Sequence, residues 1–163
     1  MPTYTYDKAQ VCLNGHSINP ASTKDPTPNR TYCPDCGEKT ITNCQICDAD
    51  IKGLALIAGM PIGKSEQYKV PNYCDNCGKP YPWIAIRQEV AKQIIQLSEE
   101  LSKDEKNELS EAINDLVTDT PKTNIGILKF KKFVAKASKE VASGLKDVLV
   151  DVVSETVKKA IWG

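Results

Sequence analysis

Four residue pairs constrain this chain more than any other feature: Cys12-x3-His16, Cys33-x2-Cys36, Cys44-x2-Cys47 and Cys74-x2-Cys77. They use all seven cysteines and the only histidine of 163 residues. A Cys-x2-Cys turn brings two thiolates onto one ion at about 2.3 Å while intervening amides donate to the sulfurs, and each tetrahedral site takes four ligands. Two sites are therefore filled with none left over. The expectation is two structural Zn2+ ions per chain, held by Cys12, His16, Cys33, Cys36, Cys44, Cys47, Cys74 and Cys77. Disulfides, another metal, or one site with spare thiols are the competing readings. An odd cysteine count and the lack of a secretory signal weigh against disulfides.

Pairing in sequence order puts Cys12, His16, Cys33 and Cys36 on one ion and the other four on the second. A cross-brace would instead join the first pair to the third. RING-type cross-braces usually carry their histidine between cysteine pairs in mid-motif, whereas here it lies in the first pair, so sequential pairing is favoured. Gly37 and Gly78 follow the second cysteine of their pairs, where a tight knuckle often needs positive φ. Four protein ligands close each site and leave no position for water, which marks structural rather than catalytic metal.

Everything beyond Cys77 lacks cysteine and histidine, and composition changes at Tyr81-Pro82-Trp83. Residues 1–82 are rich in Pro, Asn, Asp, Thr and Gly, the pattern of short hairpins and turns, with too few apolar runs for a large core. The predicted architecture is a small β zinc-ribbon pair, stapled by metal, over residues 1–82, followed by an all-α helical domain of three to four helices over residues 83–163. The amino terminus, MPTYTYDKAQ, has neither a basic nor an apolar signal region, and the apolar stretch Leu54–Ile62 is far shorter than the roughly 20 residues that span a bilayer. A cytoplasmic protein with no transmembrane segment is expected.

One stretch imitates a nucleotide site. Ala58-Gly-Met-Pro-Ile-Gly63-Lys64-Ser65 follows an apolar run, much as a phosphate-binding loop follows a strand. Its required first glycine is Ala58, and the helix that must open after Ser65 has no room before Pro71 and Cys74. A ribbon hairpin with an exposed tip is expected instead.

The strings AQVCLNGHSIN, YCPDCGEKTITNCQICDADIKG and VPNYCDNCGKPYPW resemble a family of uncharacterised bacterial double zinc-ribbon proteins, with a Cys-x-x-Gly-His start, Cys-x2-Cys-Gly knuckles and a Tyr-Pro-Trp exit. The resemblance covers residues 6–83. It implies the ribbon fold and zinc ligation at the eight positions named, but no activity. The Gly53 to Val70 loop is this chain's own version, and no role is carried onto it.

From Trp83 the apolar pattern becomes helical, with Ile86, Val90, Ile94, Leu97 and Leu101 forming one inward stripe. Pro82 suits a first turn, and this helix should end near Leu101. Ser102-Lys-Asp-Glu105 reads as a capping box opening a second helix over about 103–117, with Leu109, Ala112, Ile113, Leu116 and Val117 inward. Asn124 to Ile161 carries the stripe Ile127, Phe130, Val134, Ala137, Val141, Leu145, Val148 and Val152, read as two helices meeting near Ser143-Gly144 or one bent helix.

The chain balances 21 basic against 21 acidic residues, but the parts differ. Residues 83–119 carry four basic and nine acidic groups, residues 120–163 nine basic and four acidic, and the ribbon half eight of each. Seven ionised thiols against two dications make the ribbon half acidic, a poor match for phosphate. Lys129, Lys131, Lys132, Lys136 and Lys139, interleaved with Phe130 and Phe133, form the basic cluster; the plain reading is the solvated back of an amphipathic helix, and contact with an anionic lipid, an acidic partner or nucleic acid is the competing one.

No carboxylate pair or glycine-rich phosphate cradle stands out, and the histidine and cysteines are committed to metal, so no enzyme is expected. The leading expectation is a zinc-binding adaptor or interaction protein, its ribbons presenting a surface to a protein partner and its helices mediating homo-oligomerisation or docking. The alternative is a nucleic-acid-binding zinc-ribbon regulator. Contact with a membrane surface is not favoured by the sequence.

Overall fold

A computed structural model of the protein describes residues 3–163, which form two compact units divided between Trp83 and Ile84. Among the described residues, the strands are β1 (Tyr4–Lys8), β2 (Gln10–Cys12), β3 (Ser17–Asn19), β4 (Thr40–Ile41), β5 (Lys52–Ile57) and β6 (Met60–Pro61). They make two antiparallel three-stranded sheets, in the orders β1-β5-β6 and β3-β2-β4. The buried apolar side chains of this unit are few, chiefly Ala9, Val11, Ile51, Leu56, Tyr81 and Trp83. So small a core needs help from staples and hydrogen bonds.

Much of that help comes from side chains that tie loops down. The register of β1 on β5 shifts between Tyr6 and Lys8, and the buried Asp7 at this bulge accepts from the amides of Thr23 at 3.1 Å and Lys24 at 3.0 Å. Buried Asn19 donates to Asp25 O and to Asn29 Oδ1, both at 2.7 Å, and accepts from the Ala21 amide at 3.0 Å. These contacts hold the Pro- and Thr-rich loop that follows β3. Gly53 lets β5 pass beneath it: a Cβ there would lie 2.2 Å from Pro20 O and 2.8 Å from Asp7 O.

The loop resembling a nucleotide site is a hairpin. Ala58 and Gly59, with φ of 49° and 77°, make the two-residue turn joining β5 to β6, the left-handed pair that matches strand twist. Only a three-residue 3-10 turn, Ser65–Gln67, follows.

Among the described residues, five α-helices make up the rest, two more than the lower expectation and one more than the upper: α1 (Pro82–Gln96), α2 (Lys103–Leu116), α3 (Thr123–Val134), α4 (Lys139–Leu149) and α5 (Glu155–Trp162). The α2 reading holds closely. Ser102 Oγ accepts from the Glu105 amide at 3.2 Å while Glu105 accepts from the Ser102 amide at 2.9 Å, and Leu109, Ala112, Ile113, Leu116 and Val117 are buried.

Three helical expectations need correction. First, α1 stops at Gln96, not near Leu101: the Leu97 and Ser98 amides tighten the last turn with bonds to Ile94 O and Ile95 O, and Lys106 Nζ takes Gln96 O at 3.0 Å. Second, α1 buries Ile84, Ala91, Ile95 and the adjoining Ser98, while Ile86, Val90 and Leu97 of the predicted stripe are exposed. The helix is apolar on two sides, so periodicity alone leaves its inward face undetermined. Third, the region after Pro121 breaks twice, before α4 and before α5, and not at Ser143-Gly144. Ser138 and Ser154 cap these helices, their hydroxyls accepting from the Val141 and Val157 amides at 3.2 and 3.3 Å. Gly144 lies inside α4, and a Cβ there would sit in ordinary contact with Ile94 of α1, 3.4 Å away. Of the predicted stripe, Ile127, Phe130, Val141, Leu145 and Val152 are buried, and Val134, Ala137 and Val148 are half-buried.

Arg87 Nη1 donates to Val148 O at 3.0 Å and lies 3.8 Å from Asp151, joining α1 to the end of α4. Lys136 pairs with Glu105, and Phe130 meets Trp162 edge-on at 6.0 Å. Among the described residues, no helix is long and apolar enough to cross a membrane.

Candidate metal centres

Each Cys-x2-Cys pair sits on the same backbone turn. The Cys33 amide donates to Glu38 O and the Gly37 amide to Cys33 O; Cys44 with Ala49 and Asp48, and Cys74 with Lys79 and Gly78, repeat both bonds. The residue after the second cysteine is left-handed in all three, with φ of 75° at Gly37, 64° at Asp48 and 73° at Gly78. Aspartate tolerates this region better than most side chains, so the middle turn keeps its shape without glycine. The Cys12-x3-His16 turn is different: Gly15, at φ 93°, donates to Cys12 O, and the Cys12 amide donates to His16 O.

These turns bring the side chains together in two groups, Cys12 with His16, Cys33 and Cys36, and Cys44 with Cys47, Cys74 and Cys77. Within each group the ligand atoms all lie within 4.8 Å of one another. An ion 2.3 Å from each of two sulfurs at the tetrahedral angle sets them about 3.8 Å apart. The observed separations are 3.8 Å for Cys12 to Cys36, 3.8 Å for Cys44 to Cys77 and 3.6 Å for Cys47 to Cys74. His16 turns Nδ1 inward, 3.4 Å from Cys12 Sγ and 3.6 Å from Cys33 Sγ. Each group could hold one metal ion, grouped in sequence order.

The surroundings favour charged sulfur at Cys36 and Cys47. Asn14 Nδ2 donates to Cys36 Sγ at 3.4 Å and Asn76 Nδ2 to Cys47 Sγ at 3.5 Å. These bonds, helped by the amides of Glu38 and Ala49, bring both thiols down to about 6. Burial acts the opposite way on Cys12, pushing it up to about 11. A dication bound beside Cys12 would offset the cost of burying a bare thiolate there. Tyr81, raised above the ordinary phenol value first by burial and then by the neighbouring Cys74, hydrogen-bonds to that sulfur. Its ring stacks on Trp83 at 4.7 Å, and Trp83 Nε1 donates to Pro71 O at 3.0 Å.

Asn14, Asn76 and Tyr81 are the site residues whose contacts with sulfur the sequence does not show, although Asn14-Gly15 reads there as the turn that lets His16 point inward. A signal existed, since each asparagine stands two residues after the first member of its pair, Cys12 or Cys74.

The family model described as "Uncharacterized protein conserved in bacteria (DUF2321)" matches residues 5–161. The chain belongs to this family. The DUF2321 match runs through both units, so the family extends over the helices and not only over the residue 6–83 ribbons. No curated protein and no solved structure gave a significant match.

Proposed function

We propose that this protein is a non-enzymatic adaptor in which two structural zinc ions stiffen a pair of ribbons that present a binding surface to a protein partner. The helical unit serves oligomerisation or docking. One observation carries the reading: both ligand groups are complete with four protein donors, while the turns that build them leave apolar side chains in water. Ile46, between Cys44 and Cys47, is 66% exposed, and Tyr32, next to Cys33, is 63% exposed. Apolar groups on a metal-fixed turn lose little entropy on binding, which suits recognition. Thiolate and imidazole donors suit zinc, and a closed coordination sphere leaves the ion no position for substrate. The only histidine lies within a ligand group, as do all seven cysteines, so the usual nucleophile and base are absorbed. Thiolate sites also fit a reducing cytoplasmic setting.

Light scattering on the zinc-loaded protein, alone and with a co-purifying partner, tests the reading. A defined oligomer or stoichiometric complex that weakens in Ile46→Asp supports it. A monomer with no partner, or assembly indifferent to Ile46 and Tyr32, contradicts it.

A further inference from the structure

The lysine cluster changes character once the fold is known. Helix α3 buries Gly126, Ile127, Phe130 and Phe133, so the two phenylalanines that interleave the lysines in sequence are not on the surface. The outward face carries Ile125, 53% exposed, and Leu128, 69% exposed. At 100° per residue, Leu128, Lys122, Lys129 and Lys132 all fall within roughly 60° of Ile125. From Thr120 to Lys139 there are six lysines and no acidic residue. Lys136 is paired with Glu105; among the described residues no ion pair engages the other five.

We propose that this face of α3 docks on an anionic lipid bilayer, with Ile125 and Leu128 entering the boundary between headgroups and acyl chains and the surrounding lysines contacting lipid phosphates. A bilayer satisfies both parts of the face. Apolar insertion and polybasic attraction are each marginal alone and act together. A polynucleotide would use only the lysines: with Phe130 and Phe133 buried the helix offers no ring for base stacking, and Ile125 and Leu128 would have no partner. Exposure of this apolar pair is what reverses the weighting against a membrane contact drawn from sequence.

The test is flotation of the full-length, zinc-loaded protein with phosphatidylcholine vesicles, with and without phosphatidylglycerol, beside titration with a DNA duplex. Binding is expected only to the anionic vesicles. A lysine near an anionic surface contributes about fivefold to partitioning, so Lys129→Gln with Lys132→Gln should weaken it roughly 30-fold. Ile125→Asn with Leu128→Asn should weaken it at least about tenfold. Ile125, Leu128 and Lys132 are exposed and Lys129 is half-buried, and circular dichroism of each variant is expected to match the parent. Should the asparagine pair unfold the unit, the glutamine pair, which leaves Ile125 and Leu128 in place, still decides the matter. No vesicle binding, binding insensitive to both pairs, or tighter binding to DNA than to vesicles overturns the proposal.

Discussion

Asn14 reaches from the turn of the first ligand pair to donate its side-chain amide to Cys36 Sγ of the second, 3.4 Å away, and Asn76 does the same for Cys47 at 3.5 Å. Each amide links the two turns that a metal ion would join. Groups that support ligands in this way typically change metal affinity by 10- to 100-fold when removed. Asn14→Ala and Asn76→Ala should each speed zinc loss to a chelating dye by about tenfold or more, while the secondary structure of the metal-loaded protein stays unchanged. Equal chelation rates in parent and variants would show that these bonds are incidental.

Glycines within elements separate close approach from ordinary contact. At Gly53 a Cβ would meet the Pro20 carbonyl at 2.2 Å, and backbone cannot move aside cheaply. Gly53→Ala should therefore cost about 2–4 kcal/mol, read from chemical denaturation of the ribbon unit. At Gly144 a Cβ would sit 3.4 Å from the flexible end of Ile94, and alanine gains up to about 1 kcal/mol of helix propensity over glycine. Gly144→Ala is expected to be neutral or stabilising. The reverse order of stabilities would mean that the close passage described for β5 and the looser contact at α4 are wrong.

The opening of α2 should depend on pH in a definite direction. Lys136, followed by the Ser102 amide, holds the Glu105 carboxyl below the ordinary carboxylate value. A depressed folded-state value gives stability that is present above the unfolded carboxylate range and lost as pH falls through the lower folded value. Glu105→Gln should flatten the acid limb of the helical unit's stability curve, and Ser102→Ala should cost about 1 kcal/mol at neutral pH. An acid limb unchanged in Glu105→Gln would assign that dependence to other carboxylates.

How far the chain could be read depended on whether each feature had a local signature. The eight ligand positions announce themselves by short fixed spacings, and α2 by a serine with glutamate three residues on. Ser138 and Ser154 do the same capping work with valine at that third position, so α4 and α5 merge in sequence into one apolar stripe. The inward face of α1 is not legible in sequence because Ile84, Ala91 and Ile95 compete with Ile86, Val90 and Leu97 at equally good helical spacing, and tertiary packing decides between them. The asparagines escaped notice for a related reason. In sequence they are turn formers, and only the approach of a second turn makes them donors to sulfur.

Metal stoichiometry, measured by mass spectrometry on protein purified under reducing conditions and denatured for thiol counting, tests the central claim most directly. The account predicts two zinc ions per chain and seven titratable thiols once metal is removed. One ion or none, or cysteines recovered as disulfides, would contradict it.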